Sequence, residues 1–259
     1  MGLALPQSGV YGDYRGCMRA LVIQHDHMSG SGYIGEALRN LGYHIDDFLV
    51  VPEDRFRTPD VAVSFPDFRG YDLIVPMGAP WSVYDDTTIG SWVHDELRFL
   101  EQAQRARIAI LGICFGGQLL AKVNGGKVVR SPTPEIGWHL VDTDDPRAIP
   151  PGPWFEWHYD RFILPVGPNE IARNASAPQA FRTGRSLGLQ FHPEIDPQGL
   201  MVWLDEEGSD QVRRAGLDPK ALLQYTRRAA PAARASAFKL IDAFHNDIVL
   251  ASPTCALEV

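Results

Sequence analysis

The chain is poor in cysteine, in positive charge and in long apolar runs, and each shortage closes off a class of function. Only three cysteines, Cys17, Cys114 and Cys255, occur in 259 residues. Their odd number and lack of paired spacing argue against a disulfide framework and against a thiolate zinc site. Asp and Glu outnumber Lys and Arg by 32 to 24, a net charge of -8. No basic field is therefore present to attract nucleic acid or an anionic membrane surface. No uninterrupted apolar run is long enough to span a bilayer, and Met1-Gly-Leu-Ala-Leu-Pro-Gln lacks the basic and then apolar build of a secretory leader. The expectation is a cytoplasmic globular protein that handles small molecules or protein partners.

What is present is a core-forming composition, 45% hydrophobic, arranged as alternating strands and helices. Met18 to Gln24, His44 to Val51, Leu73 to Pro76 and Arg107 to Leu111 read as strands. Gly32 to Leu41 and Gly90 to Arg105, with Trp92, Leu97 and Leu100 at helical spacing, read as helices. Such alternation predicts right-handed βαβ crossovers and an α/β fold with an open, mostly parallel sheet covered on both faces. From Lys127 to Phe191 short β-like runs follow one another, including Val128 to Arg130, Trp138 to Asp142, Phe162 to Leu164 and Leu187 to Phe191, which predicts mixed or antiparallel strands. Beyond Asp196 the pattern is helical, with Gln198 to Glu206, Ser209 to Ala215, and then Pro219 to Arg228 and Ala232 to Val249 as a helical hairpin. The expected organisation is an extension over 1–17, a main domain over 18–200 and a helical appendage over 201–259.

Chemistry concentrates at Cys114. In Gly112-Ile-Cys-Phe-Gly116 an apolar strand breaks at glycines and restarts as a helix, the build of a nucleophile elbow with a thiol in place of the hydroxyl. The helix N-terminus favours thiolate and offers N–H donors to a developing oxyanion. A second segment, Gln190-Phe-His-Pro-Glu194, places His192 and Glu194 on one face of an extended chain, a base delivered together with its orienting acid. Cysteine, histidine and carboxylate complete the logic of a triad.

These two segments resemble the class I glutamine amidotransferases, and the likeness extends to Met77-Gly-Ala-Pro-Trp-Ser-Val-Tyr-Asp85, similar to the oxyanion loop of GMP-synthase-like members. Glu135-Ile-Gly-Trp138 and Trp157-His-Tyr-Asp160 are similar to two further segments of that subgroup. The resemblance implies a flavodoxin-like sheet and a cysteine-dependent hydrolysis of a γ-glutamyl amide. It implies Cys114 as the nucleophile of a γ-glutamyl thioester, His192 as acid and base, and Glu194 as its partner. The N–H groups of Ala79 and Phe115 would form the oxyanion hole, and Gly78, Gln118, Trp157, His158 and Tyr159 would border the substrate. No cofactor and no metal are expected. Ala79 stands where the family usually has glycine; Pro80 already restricts it to extended angles that alanine tolerates. Tyr159 stands where relatives often carry a small residue.

The expected activity is glutamine hydrolysis that supplies ammonia to a separate synthetase; hydrolysis of a γ-glutamyl peptide or conjugate is the alternative. Two rivals come from other classes. One is a regulatory domain that keeps the fold without catalysis. The other is a dinucleotide oxidoreductase, suggested by Gly30-Ser-Gly-Tyr-Ile-Gly35 between strand and helix with Asp46 and Asp47 downstream. His25-Asp26-His27 lacks an evident third metal ligand and reads as a polar loop at a strand end.

Overall fold

In the parallel half of the chain the inner strands are largely apolar, as expected where both faces of a sheet are covered. A computed structural model describes residues 18–250. Residues 1–17 and 251–259, with Cys17, Cys255 and the expected N-terminal extension, lie outside them. The strands are β1 (Arg19–Gln24), β2 (His44–Leu49), β3 (Leu73–Pro76), β4 (Ala109–Ile113), β5 (Lys127–Thr143), β6 (Gly152–Ile163), β7 (Asn169–Arg173), β8 (Pro178–Thr183) and β9 (Ser186–Leu189). The α-helices are α1 (Gly32–Asn40), α2 (Asp86–Arg105), α3 (Phe115–Val123), α4 (Pro197–Trp203), α5 (Ser209–Arg214) and α6 (Pro219–Phe244). Among the described residues the strands join one sheet in the order β2-β1-β3-β4-β9-β8-β7-β5-β6. The first five are parallel, in the flavodoxin-like order. The remaining pairings are antiparallel.

Period-two alternation divides the core between the two faces. Ala20, Val22, Leu73, Val75 and Leu111 face α1 and α6, meeting Ile34, Leu38, Leu240, Ile241 and Phe244. Leu21, Ile23, Ile74 and Ile110 face α2 and α3, meeting Ile89, Trp92, Leu100 and Leu120. A third cluster, built on Phe155, Ile195, Leu200, Leu204 and Val212, joins β6 to α4 and α5. Among the late helices α6 reaches the first cluster through Leu240, Ile241 and Phe244.

Two expectations are corrected. The runs Val128 to Arg130 and Trp138 to Asp142 belong to one strand, β5, whose ladder with β6 slips between Arg130 and Glu135. Ser131-Pro-Thr-Pro134 occupies the slip, where missing proline N–H groups cost no ladder bond. The second correction concerns the tail. The predicted hairpin is a single 26-residue helix that runs through Pro231. Pro231 sits on the exposed side, and Ala229, Ala230, Ala232 and Ala233, the best helix formers, carry the helix across it.

Candidate active site

Parallel topology gathers the carboxyl ends of β1, β3, β4 and β9 on one edge of the sheet, the position where open α/β sheets bind ligands. His25 follows β1, Gly78 follows β3, Cys114 follows β4 and His192 follows β9. At Cys114 the chain turns from strand to helix with φ 51° and ψ -103°. Left-handed backbone at a non-glycine residue is strained, and close packing on every side holds it. A Cβ on Gly112 would meet Gly116 O at 2.5 Å, one on Gly116 would meet Pro76 O at 2.0 Å, and one on Gly117 would meet Leu189 O at 2.2 Å. The elbow glycines are therefore demanded by backbone contact.

The structure brings the predicted triad residues together. His192 Nδ1 lies 2.7 Å from Glu194 Oε1, and all three side chains are buried. A Cβ on Gly78 would lie 3.1 Å from His192 Cε1 and 3.9 Å from Cys114 Cβ, so the oxyanion-loop backbone touches both. His192 Nε2, on the ring edge away from Glu194, has no nitrogen or oxygen partner among the described residues. Burial disfavours the protonated ring, but the Glu194 carboxylate and the Cys114 sulfur outweigh it and raise the His192 pKa well above the ordinary value.

A cavity of about 370 Å³ opens above these groups. Gly78, Ala79, Cys114, Phe115, Gln118 and His192 line it, together with Trp157, His158 and Tyr159 of the wall formed by β6. Gln118 donates to Asp160 O at 3.2 Å and to Gln190 Oε1 at 3.3 Å. Gln190 Nε2 in turn lies 3.6 Å from Cys114 Sγ. Gln211 on α5 accepts from Trp157 Nε1 at 3.0 Å and from Tyr159 OH at 3.3 Å, which ties the wall to the C-terminal helices. The Asp160 carboxylate accepts from Ser82 Oγ and, at 2.9 Å, from Tyr84 OH. One residue thereby latches the loop after β3 to β6.

Several of these groups went unread in the sequence. Gln190 carried a signal, since it shares a face with His192 two residues on. The pairings of Asp160, Ser82 and Gln211 carried none, because they span many residues. The run His25-Asp26-His27 splits three ways. His25 is fully buried against Glu96. Asp26 accepts from Met28 N at 2.7 Å and Ser29 Oγ at 2.9 Å, and the exposed His27 sets its ring edge-on to Phe56. Glu96 did carry a signal. It lies between Trp92 and Leu100 on the buried stripe of α2, where an unpaired carboxylate is not tolerated.

At Gly30 to Gly35 the start of α1 is already engaged. Tyr33 N–H donates to Glu194 O at 2.9 Å, and a Cβ on Gly32, at φ +41°, would fall 1.9 Å from that oxygen. The first helical turn therefore carries the backbone of the Glu194 segment where a dinucleotide site would hold pyrophosphate.

Among the described residues, Glu135, Glu156 and His158 could reach one cation. Their protonation opposes it. His158 Nδ1 lies 3.0 Å from Asp160 O and Nε2 lies 3.1 Å from Glu135 Oε2 and 3.3 Å from Glu156 Oε2. Burial works against the charged ring, but hydrogen bonds to Glu135 and Glu156 win and push its pKa up to about 10. In that state both ring nitrogens donate, and the ring pairs with both carboxylates. Burial raises the Glu156 pKa, whereas the His158 bond outweighs burial and lowers that of Glu135.

This cluster makes a testable contribution to stability. A histidine whose folded pKa lies above its unfolded value stabilises fully below the unfolded pKa and progressively loses that contribution as pH rises. For His158 the window runs from 6.5 to about 10. Thermal melts of wild type and His158→Gln across that window should converge as pH rises. A gap that stays constant from pH 6.5 to 10 would refute the assignment.

Comparison with known proteins adds a family. Residues 34–200 match the model of Glutamine amidotransferase class-I. A glutamine-hydrolyzing GMP synthase of Aeropyrum pernix is 35% identical over 156 residues, covering 55% of this chain and 29% of that protein. A glutamine-hydrolyzing GMP synthase subunit of Sulfolobus acidocaldarius is 31% identical over 147 residues, covering 53% of this chain and 74% of that protein. The chain thus spans less than a third of the first relative and about three quarters of the second. A crystal structure of a glutamine amidotransferase from Thermotoga maritima aligns with TM-score 0.76 at 26% identity, over 88% of this chain and 97% of that one.

Proposed function

As the chain belongs to the class I glutamine amidotransferases, we propose that it hydrolyses the side-chain amide of glutamine and passes the ammonia to a separate synthetase. One observation carries the reading: a strained Cys114 elbow lines the same cavity as His192, whose Nδ1 is held by Glu194. In the proposed reaction His192 takes the thiol proton as Cys114 Sγ attacks the γ-carbonyl carbon, and the electron pair moves to the carbonyl oxygen between the N–H groups of Ala79 and Phe115. Collapse of that intermediate breaks the C–N bond as His192 gives its proton to the leaving nitrogen. Water then adds to the thioester, His192 takes its proton, and the C–S bond breaks to release glutamate. Gln118 and the backbone of residues 157–159 would hold the amino-acid end.

The relatives that are named as separate GMP synthase subunits favour a synthetase as recipient. No helix among the described residues is long and apolar enough to cross a membrane. A second reading, cleavage of a bulkier γ-glutamyl conjugate, draws on the cavity, which continues past the reacting atoms to Arg57, Glu207 and Gln211. Glutamate release from glutamine and from γ-glutamyl anilides separates the two. The first reading expects glutamine to be the better substrate. Turnover of anilides alone would overturn it in favour of the second.

A further inference from the structure

His25 and Glu96 form an ion pair with no solvent exposure, 71 residues apart in sequence, directly beneath the loop that follows β3. Both Glu96 oxygens lie 3.1 Å from His25 Nε2. On the other edge of the ring, Nδ1 lies 3.1 Å from Gly78 O. A carbonyl oxygen only accepts, so Nδ1 carries hydrogen and donates to it. Trp92 stacks on the imidazole with centroids 5.7 Å apart, and Phe115 meets it edge-on at 4.8 Å. The ring therefore has one orientation.

Its target is one half of a peptide whose other half matters. Gly78 C=O and Ala79 N–H belong to the same planar unit, and no cis peptide bond occurs among the described residues. In a trans peptide the two bonds point in opposite directions. With Gly78 O drawn into the interior by His25, the Ala79 N–H faces the opposite side, toward the cavity that Ala79 borders. A hydrogen bond to the carbonyl also polarises the peptide and makes its N–H a stronger donor.

Resting on the function proposed above, we infer that His25 and Glu96 are positioning residues that fix and polarise the Gly78–Ala79 peptide as the oxyanion donor. Glu96 holds the ring, His25 holds the carbonyl, and the carbonyl sets the N–H. The pair also accounts for how alanine serves at position 79: the peptide is oriented from below, so glycine's freedom is not needed. Burial opposes the charged ring, yet Glu96 overcomes it and raises the His25 pKa.

The test must remove both members at once, since either alone would strand a buried polar partner, whereas replacing both by apolar groups of similar size can be nearly neutral. The variant is His25→Leu with Glu96→Leu, compared with wild type by crystal structure, glutamine kinetics and the rate at which iodoacetamide alkylates Cys114. Losing one well-aimed oxyanion donor lowers kcat by ~10²- to 10³-fold, so misaiming one should lower it roughly 10- to 100-fold with KM changed less than about threefold. Alkylation, which develops no oxyanion, should stay near the wild-type rate. The crystal structure should show the Gly78–Ala79 peptide rotated. An unmoved peptide, or alkylation falling in step with kcat, would overturn the inference.

Should the double variant not fold, Glu96→Gln supplies the decision: it keeps a hydrogen bond but removes the charge. It should lower kcat by about 3- to 10-fold at unchanged KM, and an unchanged kcat would count against the inference. A wild-type protein without glutamine hydrolysis would overturn the proposed function alone. The peptide orientation in the variant crystal would still decide the role of His25.

Discussion

Replacing Cys114 by alanine is expected to lower glutamate release by ~10⁴-fold or more, the scale at which removing a triad nucleophile acts, while the protein melts close to the wild-type temperature. The two halves of that expectation have separate causes. Activity is lost because alanine offers no atom that can attack the γ-carbonyl, and His192 and Gln118, which also line the cavity, cannot take the place of the sulfur at the elbow. Stability is retained because the strain at φ 51° arises from having any Cβ there, and alanine keeps it. Glutamine should still bind, measured by its effect on the melting temperature. Substantial glutamate release by the variant would remove Cys114 from the mechanism and with it the thioester.

How far this site could be read from residues alone depended on the distance over which each signal acts. The elbow and the His192-Pro-Glu194 segment are local: a turn needs its glycines within a few residues, and alternation places His192 beside Glu194 without knowledge of the fold. The parallel half of the sheet was legible for the same reason, since β1, β3 and β4 are short apolar runs bounded by turns. β5 was not, because Ser131-Pro-Thr-Pro134 and Gly137 interrupt a continuous strand with residues that ordinarily end one. The α6 helix hid behind Pro231, which breaks helices when its face is packed but is tolerated where that face is solvent.

Long-range pairings were the least legible. Nothing near His25 announces Glu96, and Asp160 reads as an ordinary acidic residue until β6 carries it to Ser82 and Tyr84. What sequence could offer was an anomaly: a carboxylate on the apolar stripe of α2. Such a residue implies a buried partner, and histidine is the side chain that can both pair with a carboxylate and donate onward from its second nitrogen. The His25 pair and the His158 cluster share this form, each with one nitrogen on a carboxylate and the other on a backbone carbonyl.

A second large effect should come from a single methyl group. Gly116→Ala places a Cβ 2.0 Å from Pro76 O and 3.0 Å from Pro76 Cβ. The atom it meets is backbone at the end of a central strand, so no side chain can swing away. Overpacking of this kind costs about 3 kcal/mol, the upper end of the usual range, and alanine's better helix propensity returns at most about 1 kcal/mol. For a chain of this size each kcal/mol moves the melting temperature by roughly 2 to 4 °C, so a fall of several degrees is expected. Gly125→Ala is the comparison, because that residue has φ +85° and open space around it. It should lose only the left-handed penalty, about 1 kcal/mol. Activity should separate the pair more widely than stability. Gly116 N–H donates to Met77 O at 3.1 Å, so pushing α3 from β3 moves Phe115 N–H away from the Gly78–Ala79 peptide and opens the proposed oxyanion site. Equal melting temperatures and equal turnover in the two variants would show that elbow and loop are not held at contact distance.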